Sequence, residues 1–188
     1  MQPNGANLQI RLARLTDASE VASVLRQSFA EYQDLYTPEA FAATAPDEQA
    51  VRSRMTEWQT WVALWDNTIV GTASGFQNGE GCLHIRGMAV LPSARGRKVG
   101  ELLLREIESF ALRNGYTRLS LRTTPFLSSA IRLYERFGFQ RTDDDQNEIF
   151  GTPLVRMAKS LKVERDIEEV NRKGNLCRKT TDTPPACA

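Results

Sequence analysis

The stretch Met88-Ala89-Val90-Leu91-Pro92-Ser93-Ala94-Arg95-Gly96-Arg97-Lys98-Val99-Gly100-Glu101-Leu102-Leu103 passes from one backbone regime to another. Leu83 through Leu91 is apolar enough for a buried strand. Pro92 has no N–H to give to a ladder and marks the strand's end. From Val99 the apolar residues recur at helical spacing: Val99, Leu102, Leu103, Ile107, Phe110, Ala111. Asn114-Gly115 supplies the stop signal. Between strand and helix lies a short basic loop, Ala94 to Gly100, with two glycines.

Backbone geometry sets the chemistry of such a loop. The first N–H groups of a helix have no partner inside it, and the helix dipole adds partial positive charge there. A glycine in the preceding turn lets the chain approach a ligand closely. Arg95, Arg97 and Lys98 add full charges. Together these features favour a phosphate or pyrophosphate. The loop is neither a Walker A motif nor Gly-x-Gly-x-x-Gly. An ordinary basic loop in front of an ordinary helix has the same composition, so the loop alone leaves both readings open.

Length and composition narrow the field. The chain has 188 residues and a formal net charge of +1. This fits one domain of ordinary size and argues against a general nucleic-acid or membrane binder. Cys82, Cys177 and Cys187 are odd in number and widely spaced, which argues against a disulfide framework. With one histidine and no Cys-x-x-Cys, no metal site is expected. No apolar segment follows Met1 and no run approaches a membrane span, so cytoplasmic residence is the expectation. A domain over residues 1–161 is expected, followed by a charged, Thr- and Pro-containing tail over 162–188 that reads as flexible. A homodimer stays open.

The remaining chain reads as follows. Leu8 to Leu12 alternates as a first strand, and Thr16 or Asp17 can cap the next helix, with Glu20 placed for a capping box with Asp17. Val21, Val24, Leu25 and Phe29 share one face of that helix. A loop with a short helix is expected over Glu31 to Pro46, and a further helix from about Asp47 to Glu57. Thr60–Trp65 and Thr68–Phe76 form a hairpin through Asp66-Asn67, and Asn78 to Gly81 turns the chain into the strand Cys82–Leu91. This meander predicts antiparallel pairing first and a crossover afterwards, hence a mixed α/β sheet. Thr117–Thr123 is the candidate strand parallel to Cys82–Leu91. Ser128 or Ser129 can cap a helix that ends at Gly138. Phe139 to Thr142 begins another strand, Asp143 to Asn147 is an acidic loop, and Pro153 to Ala158 is a last strand.

A second motif, Ala130-Ile131-Arg132-Leu133-Tyr134-Glu135-Arg136-Phe137-Gly138-Phe139, follows the loop in order. Taken alone, Tyr134 is a phenol on a mostly apolar helical face, which a core tyrosine with a satisfied hydroxyl explains equally. Taken together, the two stretches resemble the Gcn5-related N-acetyltransferase (GNAT) superfamily. Arg95 and Gly100 match that family's Gln/Arg-x-x-Gly-x-Gly/Ala loop, and Ala130 to Phe139 matches its Ala-x-x-Leu-Tyr-Glu-x-x-Gly-Phe pattern. Two positions depart. Lys98 stands where relatives usually have glycine, and a lysine calls for an ordinary φ. Leu127 stands where they have asparagine.

The resemblance implies a strongly twisted, mostly antiparallel sheet with helices on both faces. A parallel strand pair would splay to admit acetyl-CoA as cosubstrate, without a metal. It implies that Arg95, Gly96, Arg97, Lys98, Val99 and Gly100 hold the pyrophosphate. Met88, Ala89 and Val90 would hold the pantetheine and thioester. The implied reaction is direct acetyl transfer to a primary amine of a small molecule or peptide within a ternary complex. Tyr134 would donate a proton to the leaving sulfur. For the base, His84 is the candidate on the central strand, because an unperturbed imidazole titrates near neutral pH. Glu80 and Glu148 are alternatives. Phe29, Tyr32 and Tyr36 with Asp143, Asp144, Asp145 and Glu148 would make an aromatic wall with an acidic rim, suited to a cationic amine, unless that rim is simply a solvated turn. The alternative to an enzyme is a non-catalytic acyl-CoA-binding sensor.

Overall fold

The computed structural model describes residues 8–142 and 148–161. Asp143, Asp144 and Asp145 of the expected acidic loop, and the expected tail over 162–188, lie outside the described residues. The elements in order are β1 (Leu8–Leu12), α1 (Ala18–Phe29), α2 (Pro38–Thr44), α3 (Glu48–Glu57), β2 (Gln59–Trp65), β3 (Thr68–Gln77), β4 (Cys82–Val90), α4 (Val99–Arg113), β5 (Arg118–Thr123), α5 (Ser128–Arg136), β6 (Gln140–Arg141), β7 (Glu148–Ile149), β8 (Thr152–Pro153) and β9 (Val155–Ser160). Among the described residues they build a sheet of order β1-β2-β3-β4-β5-β9-β6, with β7 and β8 paired separately. All its pairings are antiparallel except β4 with β5, which run parallel across the α4 crossover. The mixed sheet expected from the meander is therefore the observed one.

Local chemistry accounts for the turns. Asp66 (φ 46°) and Asn67 (φ 66°) both take left-handed backbone. This is the two-residue hairpin turn whose twist matches its strands. α4 closes with a Schellman arrangement: Tyr116 N–H donates to Ala111 O at 2.9 Å and Gly115 N–H to Leu112 O at 3.1 Å. Two expected caps are absent. Asp17 has helical backbone angles and cannot cap α1, and its carboxylate turns back to accept from Arg14 N–H at 2.6 Å and from Arg11 at 2.6 and 3.1 Å. That hydrogen bond from Arg11 holds the Asp17 carboxyl below its usual range. Neither Ser128 nor Ser129 caps α5. Leu127 takes that position with no side-chain bond, because a turn from Leu127 N–H to Thr124 O already leads the chain in.

Helices cover both faces. On one, Leu103, Leu104, Ile107 and Ala111 of α4, with Ile131 and Tyr134 of α5, pack against Trp61, Leu83, Ile85, Leu119 and Leu121. On the other, Val21, Val24, Leu25 and Phe29 of α1 and Val51 of α3 cover Val62, Ile69 and Ala89. Leu102, expected on the buried stripe of α4, is 36% exposed, and Leu104 takes its place. The stripe runs through positions 100, 103, 104, 107 and 111, which is the spacing of one helical face.

Candidate functional site

The site is organised by strands that part. The parallel ladder ends at Ile85↔Leu121, although β4 continues to Val90 and β5 to Thr123. Beyond Ile85 the β5-facing edge of β4 is unpaired in that ladder. A bulge coincides with this point. The β3–β4 register shifts between Thr72 and Ser74, and Gly87 opposite has φ +62°. The extra residue reverses the strand's alternation. Ile85, Met88 and Val90 all pack on the α4 face, whereas Ala89 packs on the α1 face. Leu91 N–H donates to Val70 O on the β3 side at 2.9 Å. Successive amides of a strand alternate in direction, so the Val90 and Met88 N–H groups face the gap between β4 and β5.

The basic loop stands at the open end of this gap. A short turn over Pro92–Ala94 leads into Arg95. Gly96 (φ 78°) and Lys98 (φ 60°) then both take left-handed backbone. Lys98 thus takes a left-handed backbone of the kind glycine adopts without strain, contrary to the expectation of an ordinary φ. It is the N-cap of α4 and supplies no side-chain cap. The first helical bond is Leu102 N–H to Lys98 O at 3.0 Å, so the Val99, Gly100 and Glu101 amides have no partner within the helix. Alternating left-handed residues ahead of bare amides form an anion-binding concavity.

The loop's cations are not equivalent. Arg95 pairs with Glu31 and donates to Ser28 O at 3.1 Å, which ties the loop to the end of α1. Arg97 lies 4.5 Å over the Trp65 ring. Gly100 has a packing role: a Cβ there would come within 2.8 Å of Leu133 Cδ2 and 3.3 Å of Met88 Cε. The Leu133 and Met88 side chains pack over this bare position.

His84 lies on β4 just before the strands part, and it is 5% exposed. Its Nδ1 is 2.9 Å from Ser120 Oγ on β5, and Cys82 Sγ donates to the same oxygen at 3.2 Å. His84↔Ser120 are register partners, so the parallel ladder itself creates this contact. Burial, with positive charge from Arg122, Arg86 and Arg156, pulls the imidazole pKa down to about 4. The near-neutral titration expected for His84 is therefore corrected, and it stands neutral at pH 7. Glu80 precedes β4 at the end of the strand opposite to the gap, and Glu148 is exposed on β7.

Tyr134 is 6% exposed on α5 and packs edge-on to Phe139 with centroids 5.9 Å apart. Burial, reinforced by the nearby Tyr36 phenol, raises its pKa well above the ordinary tyrosine value. It is a protonated donor at any physiological pH. Tyr36 in turn meets Phe126 edge-on at 4.9 Å, and Tyr32 stacks on Phe126 at 6.2 Å. Phe29, the last residue of α1, is buried in the cluster between that helix and the sheet.

Sequence reasoning missed Ser120, Arg54, Trp58 and Arg86. The Trp58 ring stacks on Phe76 at 4.7 Å, and Phe76 contacts His84 at 5.2 Å. Strand alternation puts Arg86 on the His84 face, a signal that was present in the sequence; α3 and its end, which deliver Arg54 and Trp58, carried none. Among the described residues, no group of three or more His, Cys, Asp and Glu could hold a metal, and no helix is long and apolar enough to cross a membrane.

Comparison with known proteins places this geometry. The chain is 40% identical over 65 residues to an uncharacterized N-acetyltransferase of Schizosaccharomyces pombe, spanning 35% of this chain and 40% of that protein. It is 31% identical over 88 residues to the N-acetylaspartate synthetase of Danio rerio, 46% of this chain and 31% of that protein. The chain thus spans well under half the length of these two curated relatives. An uncharacterized N-acetyltransferase of Escherichia coli K12, YjgM, is 30% identical over 139 residues, covering 71% of this chain and 83% of that protein. The PaiA N-acetyltransferase of Thermoplasma acidophilum, solved in complex with coenzyme A, superposes with a TM-score of 0.71 at 19% identity, covering 82% of this chain and 99% of that one. The sequence matches the GNAT acetyltransferase family over residues 25–139, more than half its length and including the gap, the loop and Tyr134; the chain belongs to that family.

Proposed function

We propose that this protein is an acetyl-CoA-dependent N-acetyltransferase acting on a primary amine within a ternary complex, its catalytic unit lying in residues 1–161. The observation that carries the reading is the parting of β4 from β5 beyond Ile85↔Leu121, with unpaired amides at α4 on one side and a buried, protonated Tyr134 on α5. Arg97, Lys98 and the amides of Val99 and Gly100 suit the pyrophosphate, with Gly96 giving the loop its bend. Arg95 acts by fixing the loop on Glu31 and Ser28. Met88 and Val90, on either side of Ala89, offer N–H groups to the thioester oxygen as charge develops there.

The neutral amine attacks the thioester carbon. The C–N bond forms, the C–S bond breaks, and Tyr134 gives its proton to the departing sulfur. The nitrogen loses its proton after the C–N bond forms, when it is far more acidic than the free ammonium. A neutral His84 oriented by Ser120 suits that acceptance, directly or through water. It is too weak a base to deprotonate a free ammonium ion, so the acceptor enters as its neutral fraction.

The test is ligand-dependent melting. Acetyl-CoA should raise Tm, because a ligand that binds only the native state stabilises it. Acetyl-pantetheine, which lacks the pyrophosphate, should do much less. Equal shifts for the two compounds would remove the pyrophosphate role from the Arg95–Gly100 loop.

A further inference from the structure

We infer that the acceptor of this enzyme carries a carboxylate beside its amine, and that Arg54 and Arg86 bind it. This rests on the acetyl-transfer reading above and adds the substrate class. On the α1–α3 face of the sheet a shallow, solvent-open cleft lies beside the Gly87 bulge, its wall including Arg54, Trp58, Thr60, Ser74 and Arg86. The Arg54 and Arg86 guanidinium carbons lie 5.6 and 5.8 Å from the centre of the same Trp58 ring. Both groups donate to Ala43 O, at 3.2 and 3.5 Å. Two half-buried cations are thus held around one ring and one carbonyl, and among the described residues no carboxylate forms an ion pair with either.

Such an arrangement is unfavourable without an anion. Like charges in a partly desolvated cleft repel, and burial makes the repulsion stronger. Guanidinium groups present planar paired donors that match a carboxylate. The position is right for an acceptor. Arg86 shares a face of β4 with His84, and Trp58–Phe76–His84 is a continuous aromatic wall from the arginines to the imidazole. Arg122 on β5 acts electrostatically on both His84 and Arg86, so the positive field extends to the mouth of the gap. A polyamine would be repelled by this surface; an α-amino acid with a second carboxylate fits both arginines while its amine faces β4. This acceptor differs from the cationic amine that an acidic rim would suit; Asp143, Asp144 and Asp145 of that rim lie outside the described residues, and the charged groups of the described lining are Arg54 and Arg86.

The experiment uses the full chain and reads two quantities. Binding of L-glutamate, L-aspartate, L-glutaminamide and putrescine is measured by calorimetry without acetyl-CoA. Thiol release from acetyl-CoA is then followed with each. The dicarboxylic amino acids should bind, and L-glutaminamide and putrescine should bind about 10- to 100-fold more weakly, the worth of a charged hydrogen bond. Arg54→Gln and Arg86→Gln should abolish that preference through KM, while the Tm shift given by acetyl-CoA stays. Arg54→Lys, which keeps the charge and loses the fork, should restore it in part. Preferred binding of L-glutaminamide or putrescine by the unmodified protein overturns the proposal, and so does a carboxylate preference that survives Arg54→Gln. Carboxylate binding without thiol release would uphold the arginine site and refute the acetyl-transfer reading on which it was placed.

Discussion

Lys98 holds a left-handed backbone (φ 60°, ψ 11°) at the N-cap of α4, where an L side chain is strained by roughly 1–2 kcal/mol. Lys98→Gly should therefore stabilise the fold by about 1 kcal/mol in denaturant melting, after allowance for the freedom glycine gains when unfolded. With Lys98 beside the pyrophosphate, as proposed, the same variant should bind acetyl-CoA more weakly and with a shallower salt dependence. An unchanged midpoint would mean that the loop relieves the strain elsewhere. Tyr134→Phe separates two roles of one hydroxyl. As the acid, its loss should lower kcat by roughly 10²–10⁴-fold and leave acetyl-CoA affinity intact. As a structural phenol, its loss should lower stability by about 1 kcal/mol and leave turnover within a fewfold. At this scale the loop and Tyr134 were legible because their signals are contiguous in the chain. Ser120 was not, since its place against His84 follows from a parallel register that no local pattern specifies.

The elements α4 and α5 come close at Gly100, where the ends of the Leu133 and Met88 side chains fill the space a Cβ would take. A Cβ at 100 would stand 2.8 Å from Leu133 Cδ2, so Gly100→Val should cost about 1–3 kcal/mol as well as weaken acetyl-CoA binding. If the clash is with Leu133, adding Leu133→Ala should recover part of that loss, a coupling readable in a double-mutant cycle by urea melting. Strict additivity would locate the strain in Met88 instead, 3.3 Å away. Most element types were readable, because hydrophobic period and turn residues are local properties: Asp66-Asn67, Asn114-Gly115 and Gly138 end what they were expected to end. The short β7–β8 pair was not expected, and the last strand, expected over Pro153 to Ala158, divides into Pro153 on β8 and Val155–Ser160 on β9. The bulge at Gly87 was not readable. Glycine inside a strand pattern has several explanations, and this one appears only once β3 is laid beside β4. That bulge turns Met88 and Val90 to one face and gives their amides to the gap.

For the molecule as a whole, a net charge of +1 conceals a local excess, because Arg86, Arg122 and Arg156 from three neighbouring strands all bear on His84. The consequence is a pH dependence of known sign. Folded His84 titrates at about 4, against an ordinary value of 6.5. Above pH 6.5 the imidazole is neutral in both states and contributes nothing. As pH falls from 6.5 towards 4 the unfolded chain takes up a proton that the folded protein does not. Stability then drops by up to about 1.4 kcal/mol per pH unit from this group, or roughly 3 kcal/mol across the window. Below pH 4 the contribution levels off. Urea melting of the wild type and of His84→Gln at intervals from pH 4 to 7.5 isolates the term. The difference between the two should be flat above pH 6.5 and should change in the variant's favour below it. A parallel pair of curves would mean that burial and the surrounding arginines do not hold His84 neutral. Catalysis should carry the same signature, with log(kcat/KM) rising with pH as the acceptor amine deprotonates and no bend near 6.5. A bend there would return His84 to an ordinary imidazole, neither desolvated nor opposed by the arginines.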